Sequence, residues 1–140
     1  MASYNKFNQF TQDLVNGAYN FGSNVFKVML TNTAPVATNT VKANITEISA
    51  GNGYTAGGNT TTVTTSTSAG TAKVTAADTV FTAAGGAIGP FRYAVIYNDT
   101  TASPLKPLIA WWDYGSSITL NDTETLTVDF DNTNGIFTVA

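Results

Sequence analysis

Apolar and polar residues alternate with a period of two along most of this chain, the pattern of strands that bury one face. The alternation is longest between Gly89 and Gly115, GPFRYAVIYNDTTASPLKPLIAWWDYG, where it predicts two long strands joined by a polar loop. On the first strand Phe91, Tyr93, Val95 and Tyr97 point one way and Arg92, Ala94 and Ile96 the other. On the second, Ile109 and Trp111 oppose Leu108, Ala110 and Trp112. Both tryptophans of the chain sit here, and alternation puts them on opposite faces with at least one largely buried. A buried aromatic removes about 150–250 Å² from water, worth at most roughly 4–6 kcal/mol at ~25 cal/mol per Å². This hairpin is therefore the expected centre of the core.

Shorter strands surround it. Val25 to Thr31, VFKVMLT, turns Phe26, Val28 and Leu30 to the core and Lys27 away, and Asn32-Thr33-Ala34-Pro35 ends it as a turn. Thr60 to Ser68 and Thr71 to Ala76 read as a Thr-rich hairpin around Ala69-Gly70. Thr79 to Thr82 and Ser117 to Leu120 follow the same pattern. In Glu124 to Asp131, Leu126, Val128 and Phe130 alternate with Thr127 and Asp129. Asn134-Gly135, just before Ile136 to Val139, reads as a type I′ hairpin turn. The expected core is thus Phe26, Val28, Leu30, Phe91, Tyr93, Val95, Trp111, Trp112, Leu126, Val128 and Phe130.

Helical spacing is confined to two places. Phe7, Phe10, Leu14 and Val15 fall on one face of a helix over Asn5 to Asn16, with Gly17 as its C-cap, and Ile45 and Ile48 fit a single turn. So short a helix must dock, either over one end of the sheet or, as an arm, on a neighbouring subunit. These elements predict one all-β domain over residues 1–140, with residues 1–20 as its helical segment or arm. The expected architecture is an antiparallel β-sandwich or jelly roll of about eight strands.

Composition narrows the chemistry. Of the 140 residues 43% are apolar but only 11% are charged, against the usual ~25%, and threonine, asparagine, serine and glycine supply the polar surface instead. The net charge is −3 and the six basic residues are scattered, which argues against nucleic acid and against an anionic membrane surface. No apolar run is long enough to span a bilayer, and MASYNKFNQFTQDL lacks a signal-peptide pattern. With no cysteine, the fold depends on no disulfide, which fits assembly in a reducing cytoplasm.

The absence of histidine and cysteine removes thiol nucleophiles, Ser-His-Asp triads and nearly every zinc site. Carboxylates remain. Asp113, directly after the tryptophans, is the best placed for glycoside chemistry, but an aspartate bonded to the Tyr114-Gly115 turn explains it more simply. Asp129 to Gly135 offers oxygens at alternate positions, yet lacks the glycine and glutamate of a calcium loop, and a polar hairpin accounts for the same residues. GNGYTAGGN, from Gly51, has no Gly-Lys-Ser/Thr and reads as a tight loop, not a phosphate cradle. Arg92, the one arginine, is expected to pair with a carboxylate or an aromatic ring. No catalytic residue, metal or cofactor is expected. The candidate contact residues are Thr62, Thr64 and Lys73 in the Thr-rich hairpin, with Phe7, Phe10 and Leu14 on the helix.

Three stretches, KVMLTNTAP, ITEISAGNGYTAGGN and GPFRYAVIYND followed by PLIAWWDYG, resemble small structural proteins encoded by tailed bacteriophages. The likeness runs from about Lys27 to Phe130 and includes no catalytic motif. It implies a place in the virion. Size, low charge, lack of cysteine and β content favour a capsid decoration, or cement, protein within that group. Such a protein would be made in the host cytoplasm and would sit on the capsid surface. Its partners would be the major capsid protein and itself, as a homo-oligomer. The resemblance, not the residues, implies a trimer. The alternative is a tail or fibre module that binds a host glycan through Trp111 or Trp112, and a major tail protein is the weaker third reading.

Overall fold

The computed structural model describes residues 3–140. They form an all-β sandwich of ten strands with one short α-helix. The elements are β1 (Ser3–Lys6), α1 (Asn8–Val15), β2 (Phe26–Thr31), a 3-10 turn (Lys42–Asn44), β3 (Asn59–Thr61), β4 (Val63–Ser68) and β5 (Thr71–Ala76). They continue with β6 (Thr79–Thr82), β7 (Ile88–Asn98), β8 (Leu108–Leu120), β9 (Thr125–Val128) and β10 (Phe137–Val139). Every pairing is antiparallel. The sheets run β1-β8-β7-β2-β3, β10-β5-β4 and β6-β9.

The inner core lies between the five-stranded sheet and the two smaller ones. Phe26, Val28, Leu30, Phe91 and Ile96 of the large sheet meet Val74, Ala76, Phe81 and Phe130 there. Phe10 of α1 closes one end, its ring 5.2 Å from Tyr19 and 5.0 Å from Phe137. A second cluster covers the opposite face of the large sheet: Phe7, Met29, Val95, Tyr97 and Leu108, with Ile45 and Trp111 against it. The segment between β2 and β3 crosses this face and is tied down by Leu108 N–H to Thr40 O, 3.1 Å, and Lys42 N–H to Lys106 O, 2.9 Å. β2 is therefore apolar on both sides, where the sequence pattern predicts one.

Irregularities in the β7–β8 ladder change the expected faces. Ile96 pairs with Ala110 and Tyr97 with Leu108, which leaves Ile109 without an opposite residue. This bulge turns Ile109 to the inner core beside Ala110 and leaves Leu108 with Trp111 in the outer cluster. Further along, Phe91 pairs with Ile118 and Tyr93 with Asp113, so residues 114–117 of β8 face Arg92 alone. Phe91 consequently joins the inner core, and not the face of Val95 and Tyr97. The tryptophans do face opposite sides, Trp112 inward and Trp111 outward. Both are half-buried, short of the deep burial expected for one of them, because the short edge strand β1 is all that flanks β8 on that side.

Three further expectations are corrected. The N-terminal helix starts at Asn8, not Asn5, because Ser3–Lys6 satisfies its backbone groups by pairing with Ala110–Asp113. Val15, assigned to the apolar helix face, is 82% exposed. Asn134-Gly135 makes no hairpin: β9 pairs with β6 and β10 with β5, so the turn passes between sheets. Gly135 is needed there because it has φ +80° and an added Cβ would lie 2.5 Å from Val74 O. The Thr-rich hairpin forms around Ala69-Gly70 as read, but its first strand breaks at Thr62 into β3 of the large sheet and β4 of a small one.

Candidate functional site

Two regions stand out for interaction: a groove at the mouth of the sandwich, and the bare edge of β4. The groove, of ≈ 920 Å³, opens between the β1–β8 edge of the large sheet and residues 126–136. Tyr4, Trp112 and Tyr114 line one side, Asp129, Asn132 and Asn134 the other, and Leu30, Phe91 and Phe130 of the inner core lie buried beneath. Alternation along β8 and the β1–β8 register bring Tyr4 beside Trp112, ring centroids 5.6 Å apart, and Trp112 rests edge-on against Phe130 at 5.1 Å. Tyr114 lies in the stretch of β8 that faces Arg92 alone and is 58% exposed; Tyr4 is 41% exposed.

A two-point ion pair stands at the rim. Arg92 Nε donates to Asp113 Oδ1 at 2.8 Å and Nη2 to Oδ2 at 3.0 Å, and Gly115 N–H also donates to Oδ1 at 2.8 Å. The guanidinium lies over the Tyr93 ring, 5.3 Å from its centroid. Hydrogen bonds from Arg92, then from Gly115 N–H, hold the Asp113 carboxyl below the usual range. A glycosidase acid needs the opposite shift. Asp113 instead pins the looped-out part of β8, close to the simple reading of it as a turn ligand, although it lies within a strand.

The Asp129–Gly135 segment is likewise occupied by its own bonds. Asp131 accepts from Thr133 N–H at 2.9 Å, Asn134 N–H at 2.8 Å and Asn134 Nδ2 at 2.7 Å. Backbone and side-chain donors of Asn134 lead in holding its carboxyl low. Lys73 Nζ donates to Thr133 O at 2.8 Å, so this expected contact residue braces the loop. Among the described residues no three of His, Cys, Asp and Glu gather as a metal site.

β4 is an outer strand whose sole partner among the described residues is β5. Residues Thr64 to Ser68 are all exposed, and none is charged. Thr62 is exposed just before it, and Thr64 Oγ1 lies 2.6 Å from Thr75 Oγ1. The other expected contact residues are not on the surface. Phe7 is 0% and Phe10 2% exposed, and Leu14 packs half-buried on the inner core. The N-terminal segment thus packs on its own sheet, the first of the two placements its spacing allows.

A network that the sequence pattern does not reveal fixes the glycine-rich loop. Glu47 accepts from Lys42 Nζ at 2.9 Å and Tyr54 OH at 2.7 Å, and the Tyr54 oxygen accepts from Leu30 N–H at 3.0 Å. Gly57 N–H also donates to Glu47, so a carboxylate of the chain itself takes the donor that a phosphate would need. Burial pushes the Glu47 carboxyl up, but the bonds from Lys42, Tyr54 and Gly57 outweigh it and leave it below its ordinary value. Gly58, φ +80°, packs so tightly on β2 that a Cβ would lie 1.9 Å from Val28 O.

Compared with known proteins, the chain matches no family model, no curated protein and no solved structure. No helix among the described residues is long and apolar enough to cross a membrane.

Proposed function

We propose that this protein is a non-enzymatic building block of a tailed-phage particle, a capsid decoration protein that associates with itself through β4. One observation carries the reading. β4 leaves a row of backbone donors and acceptors open, on a strand with strong β propensity and no charge. Proteins that remain monomeric usually guard such an edge with lysine, proline or a bulge. A neighbouring subunit would cover it, and closed symmetry would limit the assembly. The second partner is the major capsid protein, and the site of action is the capsid surface after folding in the host cytoplasm. The particle itself comes from the sequence resemblance, and so does three-fold symmetry.

Geometry adds a condition to the trimer. Pairing β4 with β4 of a second copy is two-fold and closes a dimer. A ring of three needs a head-to-tail contact, in which β4 meets a different edge of the next copy, such as β1 or β3. Light scattering on the purified chain and on Thr65→Lys, followed by binding to undecorated capsids, tests the reading. The expected result is a trimer that binds capsids and a variant that stays monomeric. A dimer would replace the three-fold arrangement by the two-fold one. A wild-type monomer that ignores capsids, and labels the tail tip in virions, would overturn the proposal in favour of the fibre reading.

A further inference from the structure

We infer that the groove between β8 and residues 126–136 is a binding site for a neutral oligosaccharide, with Tyr114 and Tyr4 as its stacking surfaces and Asn132 as a hydrogen-bonding group. The site is distinct from the β4 edge, and this inference does not depend on the oligomer.

Placement comes first. Most large aromatics of the chain are packed away, whereas Tyr114 and Tyr4 are 58% and 41% exposed in the same wall of one groove. Tyr114 is held there by design of the ladder. Residues 114–117 loop out opposite Arg92, and the Asp113 carboxylate fixes the start of the loop through Arg92 and Gly115 N–H. The backbone on either side of Tyr114 is thus already fixed, so binding need not order this stretch of main chain. A sugar ring has an apolar C–H face and a polar rim. The first fits an exposed phenol ring, and the second fits a group that both donates and accepts, such as the exposed Asn132 amide across the groove.

Charge then selects among ligands. Arg92 is the one cation lining the groove among its described residues, and Asp113 neutralises it with two bonds. Asp129 and Asp131 also line the groove, and Lys73, whose charge acts on Asp131, is bonded to Thr133 O. Among the described residues, phosphate, sulfate and carboxylate groups find no uncommitted cation, which disfavours nucleic acids and acidic glycans. Size agrees. At ≈ 920 Å³ the groove is near the upper end of the ~300–1,000 Å³ typical of ligand sites, so it admits more than one ring. Its accessible lining is more apolar than polar, as in most such sites.

The test is a titration of the full chain with cellohexaose, maltohexaose and chitohexaose, and with a hyaluronan hexasaccharide as the anionic counterpart. Tryptophan emission reports on Trp112 in the groove wall, and calorimetry gives the affinity. At least one neutral hexasaccharide is expected to bind with saturation, with little change between low and high salt. Tyr114→Ala is expected to weaken it about tenfold or more at an unchanged melting temperature, since this side chain supports no core contact. Thr65→Lys is expected to leave sugar binding intact, which separates this result from the oligomer test. The inference is overturned if none of the three neutral sugars binds, if Tyr114→Ala binds as tightly as the wild type, or if hyaluronan binds best and loses affinity with salt. A change of oligomeric state in Tyr114→Ala without any sugar binding would assign the groove to a second copy of the chain, and would overturn it too.

Discussion

The middle of the large sheet and the Thr-rich hairpin are built from residues with similar β propensity, yet they do opposite things. In β2, Val28 and Met29 are both 0% exposed although they point to opposite faces. In β4, five consecutive residues from Thr64 are exposed. β4 satisfies one edge by antiparallel pairing, whereas β2 pairs with β7 on one edge and β3 on the other, and also buries two apolar faces. Hydrogen-bonded pairing exchanges bonds to water for bonds to protein and contributes little net free energy, whereas apolar burial contributes ~25 cal/mol per Å². Stability thus resides in the large sheet. The hairpin is anchored from below by Val74 and Ala76 of β5, and its outer strand can adapt to a partner without loosening the core.

The contrast can be tested by a graded set of changes. Phe26→Ala removes a fully buried ring stacked at 5.0 Å on Phe21, and should cost about 3–5 kcal/mol by denaturant titration. That is a large part of the ~5–15 kcal/mol typical of a domain, and a cost near zero would show that the large sheet does not hold the fold. Gly58→Ala forces a Cβ into the Val28 carbonyl and should cost about 2–4 kcal/mol, visible as a lower melting temperature. An unaffected melting temperature would mean that the glycine-rich loop is not packed against β2.

Acid should act through Glu47. Its carboxyl is held below its ordinary value of 4.5 when folded, so its contribution is complete above about pH 4.5 and is lost as pH falls through the lower folded value. Melting temperature should therefore drop on acidification below that point, and Glu47→Gln should flatten part of the drop. An unchanged pH profile in the variant would remove Glu47 from the account. The smallest effect is expected at the hairpin. Thr65→Lys should shift stability by no more than about 0.5 kcal/mol while changing the oligomeric state, and a larger loss would show that β4 belongs to the core after all.

Much of this contrast was legible in the sequence. Period-two alternation located most of the strands, though not β1, which the helical spacing from Asn5 concealed, and composition located the Thr-rich hairpin with its Ala69-Gly70 turn. The bulges at Ile109 and opposite Arg92 were not legible, because they follow from the length mismatch of two paired strands and leave no mark on either. They reversed the faces assigned to Phe91 and Ile109. The outer cluster was missed for a related reason. Met29 and Leu108 looked like the far side of half-buried strands, and the segment that covers them offers little more than Ile45 as a signal. In the groove, the sequence pattern singles out the tryptophans. Tyr114 read as a turn residue, and its exposure depends on the same unreadable ladder defect. Glu47, Tyr54 and Gly57 lie in one stretch, but neither periodicity nor a known motif marks their bonding, and Leu30 joins them only through the fold.

The edge strand β1 has a kinetic consequence. It joins the large sheet beside β8, pairing Ser3–Lys6 with residues roughly a hundred positions later in the chain. Closing a loop of that length carries an entropic cost of about 4 kcal/mol before any contact offsets it. β7 and β8, linked by a short loop, form their ladder at far smaller cost, so β1 docks late. Until it does, Phe7 has no place in the outer cluster, and the flank of β8 that bears Trp111 and Trp112 stays unpaired. A chain emerging from the ribosome, or refolding from denaturant, passes through this interval with a tryptophan-rich edge open to other chains. In that interval aggregation is expected to compete with folding at β8, and the yield of soluble protein on refolding should fall as protein concentration rises.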